Sequence, residues 1–477
     1  MKPSHCPPSR QSVLAAVLLM QALPLTALGQ TTDFSPSAAG GRQGISPPAA
    51  EALILAPFKY IAPTAADTGT TSGTAPAEAA QPKRKASQQR IIDLNAAGDY
   101  QAAGTEGMAL MAREKPDDEL RLIVANSLAW TGRLKEAIPT YQGLRYGKYA
   151  DQASVGLASI YRWRGRDDQA IPLYRGVLAN DPGNSDALEG LNLATRETSP
   201  RTLLSFGNGK DSSDDERRSA TLNHRWRDSS GVHVMEVETS LVIDALPGVE
   251  TSQQDVTLRY QNLSLALKPS LELSMPTKDD NSLYASARIK LFDEKVTLSA
   301  GRVNWGRMAT NPNALAAHLS AMHAGVTASR DFSFGSLAAK VNFYDISDGN
   351  TVWSSNLHLA PAWRPLGSNF KPFAGLETRS AAFSALNYWT PAQGSGTLYA
   401  GLLGEWGASN WNLFTSGQVG VRLYGDAGTS WSLSAGGKYW VTNNVALSVN
   451  LWSLDSWRDN AAYRAQAATI NLEKLWR

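Results

Sequence analysis

The chain has 477 residues, with 39 Gly, 14 Trp and a formal net charge of +2; 18% of its residues are charged, against roughly 25% in an ordinary soluble domain. That near balance excludes a charge-driven nucleic-acid binder, and no nucleic-acid partner is expected. A mean hydropathy of −0.27, with no long uncharged apolar run beyond residue 30, excludes a polytopic helical membrane protein. The single cysteine, Cys6, excludes disulfides within the chain and zinc sites built on cysteine pairs.

Residues 1–29 read as an export signal. Lys2 and Arg10 precede an apolar run from Ser12 to Gly29, broken by Pro24 and ending in the small-x-small step Ala27-Leu28-Gly29. Cys6 lies ahead of that run, so it is not the lipidated cysteine of a lipoprotein signal. A mature chain without cysteine suits an oxidising compartment. Residues 30–88 are rich in Ala, Pro, Gly, Thr and Ser and end in Lys83-Arg84-Lys85. Such a stretch buries too little apolar surface to offset its ordering entropy and is expected to be a disordered linker, with one apolar island from Leu53 to Ile61.

A helical repeat is expected over residues 89–199. Ala137-Ile138-Pro139-Thr140-Tyr141 returns as Ala170-Ile171-Pro172-Leu173-Tyr174 after 33 residues, and turn glycines stand at Gly98, Gly132 and Gly165. Pro116 and Pro182 follow the second helices of their pairs. A period near 34 with this punctuation resembles the tetratricopeptide repeat, with about three copies. Small Ala137 and Ala170 let paired helices approach, and Tyr141 and Tyr174 are expected to fill the groove against the next repeat. Asn184 to Arg196 is expected to form a closing helix, stopped by Ser199-Pro200. The stack either holds a protein or peptide on its concave surface or acts as a spacer.

From residue 200 the apolar period changes to two. Leu283, Ala285, Ala287, Ile289 and Leu291 alternate with Tyr284, Ser286, Arg288, Lys290 and Phe292. Leu337 to Tyr344, Trp431 to Trp440 and Val445 to Trp452 repeat the pattern. Turns such as Asp348-Gly349-Asn350 and Gly425-Asp426-Ala427-Gly428 separate the runs. The spacing predicts about sixteen strands over 200–477, the signature of a transmembrane antiparallel β-barrel. Twelve of the fourteen Trp fall in this half. Those at strand ends, Trp305, Trp353, Trp389, Trp411, Trp457 and Trp476, are expected in the aromatic girdles at the membrane interfaces. The fold class is therefore an α + β two-domain chain, a short helical solenoid followed by a barrel.

A tetratricopeptide stack leading into a C-terminal barrel resembles the outer-membrane exporters of bacterial exopolysaccharides. The poly-N-acetylglucosamine porin and the outer-membrane subunit of cellulose synthase are the nearest types, with the YaiO-type barrels as a sister group. Tyr388-Trp389-Thr390-Pro391, ahead of the strand Thr397 to Trp406, is similar to a step in those barrels. The resemblance covers residues 90–477 and implies an outer-membrane pore with its repeats in the periplasm. It also implies partners among polysaccharide-synthesis proteins of the periplasm or inner membrane, an exopolysaccharide cargo, and contact with outer-membrane lipid and lipopolysaccharide.

A glycan slides through such a lumen when aromatic faces and exchangeable polar groups line it and no single contact is strong. By alternation the lumen-facing candidates are Glu236, Glu238, Tyr284, Arg288, Lys290, Lys340, Tyr344, Tyr399, Glu405, Lys438, Asn450 and Trp452. The barrel half carries 24 acidic and 25 basic residues, which by itself favours a neutral glycan. No catalytic residue, cofactor or metal site is expected. Gly207-Asn208-Gly209-Lys210 lacks the spacing of a phosphate loop and reads as a strand-end turn. His318 and His323 lie on a loop-like segment, Met308 to Ala324, whose Leu315, Leu319 and Met322 suggest a short helix that plugs or gates the lumen, or a plain surface loop. A non-transporting anchor and a barrel enzyme acting on lipid or glycan stand as alternative functions.

Overall fold

The computed structural model describes residues 85–476, apart from 230, 278–281, 293–294, 310, 333, 364, 368, 386, 392–393, 409, 426–427 and 459–460. The expected signal (1–29) and nearly all of the expected linker lie outside the described residues.

Among the described residues seven helices come first: α1 (Ala86–Ala96), α2 (Tyr100–Met111), α3 (Asp118–Trp130), α4 (Leu134–Gln142), α5 (Ala150–Trp163), α6 (Asp167–Asn180) and α7 (Ser185–Thr198). The first begins inside the stretch read as linker, because Ile91 is buried in the helical core and the Lys85 ammonium pairs with Glu114 at 2.8 Å. Gly98, Gly132 and Gly165 turn between paired helices at φ between +67° and +79°, a conformation that costs glycine little. Pro182 stands in the turn between α6 and α7. Local signals start the helices: Asp117 accepts from the Leu120 N–H at 2.8 Å and Asn184 from the Ala187 N–H at 3.0 Å.

The repeat residues do what their spacing predicts. Ala137 and Ala170 are fully buried, and Tyr141 and Tyr174 lie against the following helix. A Cβ added at Gly156 of α5 would lie 2.5 Å from the Tyr141 ring, and one at Gly190 of α7 would lie 2.3 Å from that of Tyr174. Each phenol is anchored: Tyr141 donates to Asn126 Oδ1 at 2.6 Å, and the Tyr174 hydroxyl lies 3.0 Å from Ser159 Oγ. Burial pushes both phenol pKa values up.

Sixteen antiparallel strands then close on themselves. They are β1 (Arg201–Asp211), β2 (Glu216–Arg227), β3 (His233–Leu246), β4 (Val249–Asn262), β5 (Ser270–Pro276), β6 (Tyr284–Leu291), β7 (Val296–Asn304) and β8 (Ser320–Phe332). The circle continues through β9 (Gly335–Ile346), β10 (Thr351–Pro361), β11 (Phe370–Ala381), β12 (Ser395–Ala408), β13 (Trp411–Tyr424), β14 (Thr429–Thr442), β15 (Val445–Arg458) and β16 (Ala461–Leu475). Each strand pairs with its sequence neighbours, and β1 closes on β16 with Arg201 opposite Leu475. The end where β1 begins is proximal, next to the helices; the other is distal.

Alternate side chains point outward as an apolar belt, including Phe206, Leu258, Leu357, Leu433, Leu451 and Ile470, all exposed. Water does not favour such a belt; hydrocarbon does. Among the described residues no helix is long and apolar enough to cross a membrane.

Three local expectations are corrected. Gly207-Asn208-Gly209-Lys210 lies inside β1 rather than in a turn. Its glycine makes room for a neighbour, since a Cβ on Gly207 would lie 2.6 Å from Ser219 Oγ. His323 and Met322 belong to β8, which starts at Ser320, so the distal loop is shorter than the segment from Met308 to Ala324, and Met322 faces outward. Trp353, Trp411 and Trp476 are exposed girdle residues, but Trp305 is 1% exposed, packed among Ala314, Tyr344 and Tyr388.

Candidate functional site

The register places all twelve lumen candidates on the face opposite the apolar belt. Glu236 and Glu238 project from β3, and Tyr284, Arg288 and Lys290 from β6. Lys340 and Tyr344 project from β9, Tyr399 and Glu405 from β12, Lys438 from β14, and Asn450 and Trp452 from β15. The structure distributes them over different walls.

One wall is a charge ladder. Arg201, Arg225, Glu236, Arg259 and Glu272 stand directly opposite one another in a single register row across β1 to β5. Arg259 binds three carboxylates: its Nη1 donates to Glu236 at 2.6 Å and Glu238 at 2.9 Å, and its Nε to Glu272 at 2.8 Å. Asn223 Nδ2 donates to Glu236 at 2.7 Å. Charge-assisted bonds of this kind hold the acidic side chains against the wall.

The next wall is basic. Lys290, Thr297, Thr327 and Lys340 share one register row across β6 to β9, and Arg288 lies one lumen-facing position further in. Beyond it stands an aromatic wall. Phe373 and Tyr399 are buried side by side, with His358 Nδ1 and Asn356 Nδ2 each 3.2 Å from the Tyr399 hydroxyl. Glycine makes this possible, because a Cβ on Gly375 would meet the Tyr399 hydroxyl at 2.3 Å. Further round, Lys371 pairs with Glu405, and Lys438 with Glu473, which also lies 3.5 Å from Arg201.

Two distal loops fold inward. The β7–β8 loop carries α8 (Trp305–Met308) and α9 (Pro312–Ala316), and α9 packs on the lumen side of β3 and β4. Asn304 and Asn311 cap the two turns. Arg307 Nη1 donates to Asp255 Oδ2 at 2.8 Å, and the Arg307 carbonyl accepts from Arg217 Nη1 at 3.1 Å while Arg217 pairs with buried Asp244. Leu315 and Leu319 are buried, as their spacing predicts. The β11–β12 loop brings Tyr388 edge-on to Trp305 at 5.5 Å between ring centroids, and Tyr344 lies 5.1 Å from Trp305. Tyr388 donates to Asp348 at 2.9 Å, and Thr390 donates to the Phe383 carbonyl at 3.1 Å. The Tyr388-Trp389-Thr390-Pro391 step thus serves to pin this loop.

At the proximal end the helices meet the lumen mouth. The Arg196 guanidinium lies 4.5 Å from the Trp440 ring, and Glu197 pairs with Arg201 at 3.3 Å. Asp167, the first residue of α6, is buried; desolvation and then nearby Glu197 push its pKa up to about 7, although Arg227 and Arg162 pull against them. The Glu197 carboxyl, well exposed at the lumen mouth, is held below its ordinary value by Arg201, Lys438 and Arg225.

The rings of His224, His233, His323 and His358 meet Thr202, Tyr260, Asn342 and Tyr399 respectively, and among the described residues no carboxylate bonds any of these four rings. Among the described residues no group of three or more His, Cys, Asp or Glu is placed to hold a metal ion. The ladder, the inward loops and the burial of Trp305 lay beyond sequence reasoning; only the spacing of Leu315 and Leu319 hinted at the loop.

No family model and no curated protein matches this chain. Among solved structures it is similar to a bacterial polysaccharide outer membrane secretin, at 12% identity over 59% of this chain and 99% of that one, with a TM-score of 0.48. It is also similar to a BenF-like porin from Pseudomonas fluorescens Pf-5, at 10% identity over 58% of this chain and 98% of that one, with a TM-score of 0.34. It is also similar to MamA AMB-1, at 18% identity over 24% of this chain and 67% of that one, with a TM-score of 0.22.

Proposed function

We propose that this protein is an outer-membrane pore that guides an exopolysaccharide from the periplasm to the cell surface. In this reading the helical repeats dock synthesis proteins on the periplasmic side. The observation that carries it is a closed sixteen-stranded barrel, belted with apolar residues outside and lined by charged, polar and aromatic walls inside, with a helical stack at one mouth. A barrel of this strand number has room for a water-filled lumen, and mixed walls offer a sugar chain many weak contacts rather than one strong one. Guidance is passive, with no catalytic step.

The test is exopolysaccharide secretion by a deletion strain, complemented by the full chain or by residues 201–477 behind the signal. Loss of secreted polymer that only the full chain restores is the expected result; unchanged polymer overturns export. The two inward loops favour one second reading, a non-transporting anchor whose lumen is closed. Single-channel conductance in planar bilayers counts against it.

A further inference from the structure

The near-even charge of the barrel half does not carry over to the lumen, because seven of its acids are held in ion pairs while several cations form none. Glu236, Glu238 and Glu272 are bound by Arg259, and Glu405 and Glu473 by lysines. The distal Asp244 and Asp255 are held by Arg217 and Arg307.

By contrast, Arg225, Arg227 and Arg288 face the lumen in the proximal half; Arg225 and Arg227 also lie near Glu197 and Asp167 of the helices, yet among the described residues none of the three forms an ion pair within 4 Å. Arg225 stands directly opposite Arg201, so two guanidinium groups adjoin in the ladder row. Arg201 is answered by Glu197 and Glu473, whereas Arg225 has Glu236 opposite it in the row but no ion pair of its own. A paired carboxylate acts outward only as a dipole, whereas an unpaired guanidinium presents a full charge and a donor fork suited to carboxylate, sulfate or phosphate.

We infer that the proximal lumen is built to receive a linear glycan bearing repeated anionic groups, with Arg225, Arg227 and Arg288 as its first contacts. The inference rests on the glycan-pore reading and names the cargo's charge. Unpaired cations near the entrance raise the local concentration of a polyanion. The aromatic wall of Phe373 and Tyr399 then offers ring faces to the sugar.

The experiment is calorimetric binding of two neutral or charged oligomers of equal length, cellohexaose and hexagalacturonate, to the detergent-purified full chain. Hexagalacturonate is expected to bind about tenfold more tightly, and the difference is expected to vanish as salt rises from about 0.05 M to about 0.5 M. Arg288→Gln is expected to weaken hexagalacturonate about fivefold or more, with Arg288→Lys keeping most of the affinity. Heat-modifiable migration on gels verifies that each variant barrel is folded. A sulfated hexasaccharide run alongside separates preference for sulfate from preference for carboxylate, and either supports the anionic cargo. Equal binding of cellohexaose, or no effect of Arg288→Gln, overturns the anionic inference and leaves the glycan pore standing. Binding of no oligomer overturns both.

Discussion

Arg307 and Asp255 stand 52 residues apart in sequence, yet the guanidinium of one donates to the carboxylate of the other at 2.8 Å across the lumen. That contact makes the β7–β8 loop part of the channel wall. Arg307→Ala is expected to free the loop and raise single-channel conductance about twofold or more. It also strands Asp255, 1% exposed, as a buried charge, which costs about 3–5 kcal/mol. Adding Asp255→Asn is expected to recover most of the thermal stability while conductance stays high. Unchanged conductance in both variants would show that the loop does not narrow the open path.

Trp305 joins the two inward loops through its contacts with Tyr344 and Tyr388. Trp305→Ala removes a fully buried indole, a change that costs about 3–5 kcal/mol in a packed site. The expected outcome is faster proteolysis of both distal loops in intact cells, with the barrel still heat-modifiable. Protection of the β11–β12 loop in this variant would mean that Tyr388 is held by Asp348 alone.

In the helical stack the test position is Gly156. A Cβ there meets the buried Tyr141 ring, so Gly156→Ala is expected to destabilise the helices by about 1–3 kcal/mol. Tyr141→Phe removes the bond to Asn126 and is expected to cost about 1 kcal/mol. Both are read as a lowered helical transition at 222 nm in the full chain, with the barrel transition unmoved.

Asp167 predicts a pH dependence. Its pKa is raised to about 7 in the folded chain, so the folded state holds this proton more tightly than the unfolded state does. The stabilisation is fully present below about pH 4 and is lost as pH rises to about 7, a change of up to a few kcal/mol. Asp167→Asn is expected to flatten the Tm of the helical transition between about pH 4.5 and 8 and to exceed the parent's Tm at the upper end. A parent Tm that rises over that range would reverse the sign and refute the assignment.

The legible and illegible parts divide along a physical line. Period-two alternation assigns Lys340 and Tyr344 to one face and Val341 to the other without knowledge of neighbouring strands, because successive Cβ atoms point oppositely. Likewise Tyr141 and Tyr174 declare themselves through a 33-residue repeat. The row of Arg201, Arg225, Glu236, Arg259 and Glu272 depends on the register of five strands, which no single strand encodes. The same holds for the lumen's charge, since a tally of acids and bases does not record which are paired. Trp305 misleads because a tryptophan at a strand end ordinarily faces the membrane interface. Here Gly306 lets α8 close onto α9, a Cβ there lying 2.4 Å from the Ala314 carbonyl, and the indole turns inward.

The seam between β1 and β16 sets an order of assembly. Trp476 closes it twice, its backbone N–H donating to the Pro200 carbonyl and its indole to Thr202 Oγ1, 274 residues earlier in the chain. Until the last strand has been synthesised, β1 is an unpaired edge open to wrong partners. The helices need no such wait, since their contacts are local in sequence. A ribosome therefore finishes a foldable stack long before it finishes a foldable barrel, and for that interval the nascent strands need a holder that keeps the first edge covered.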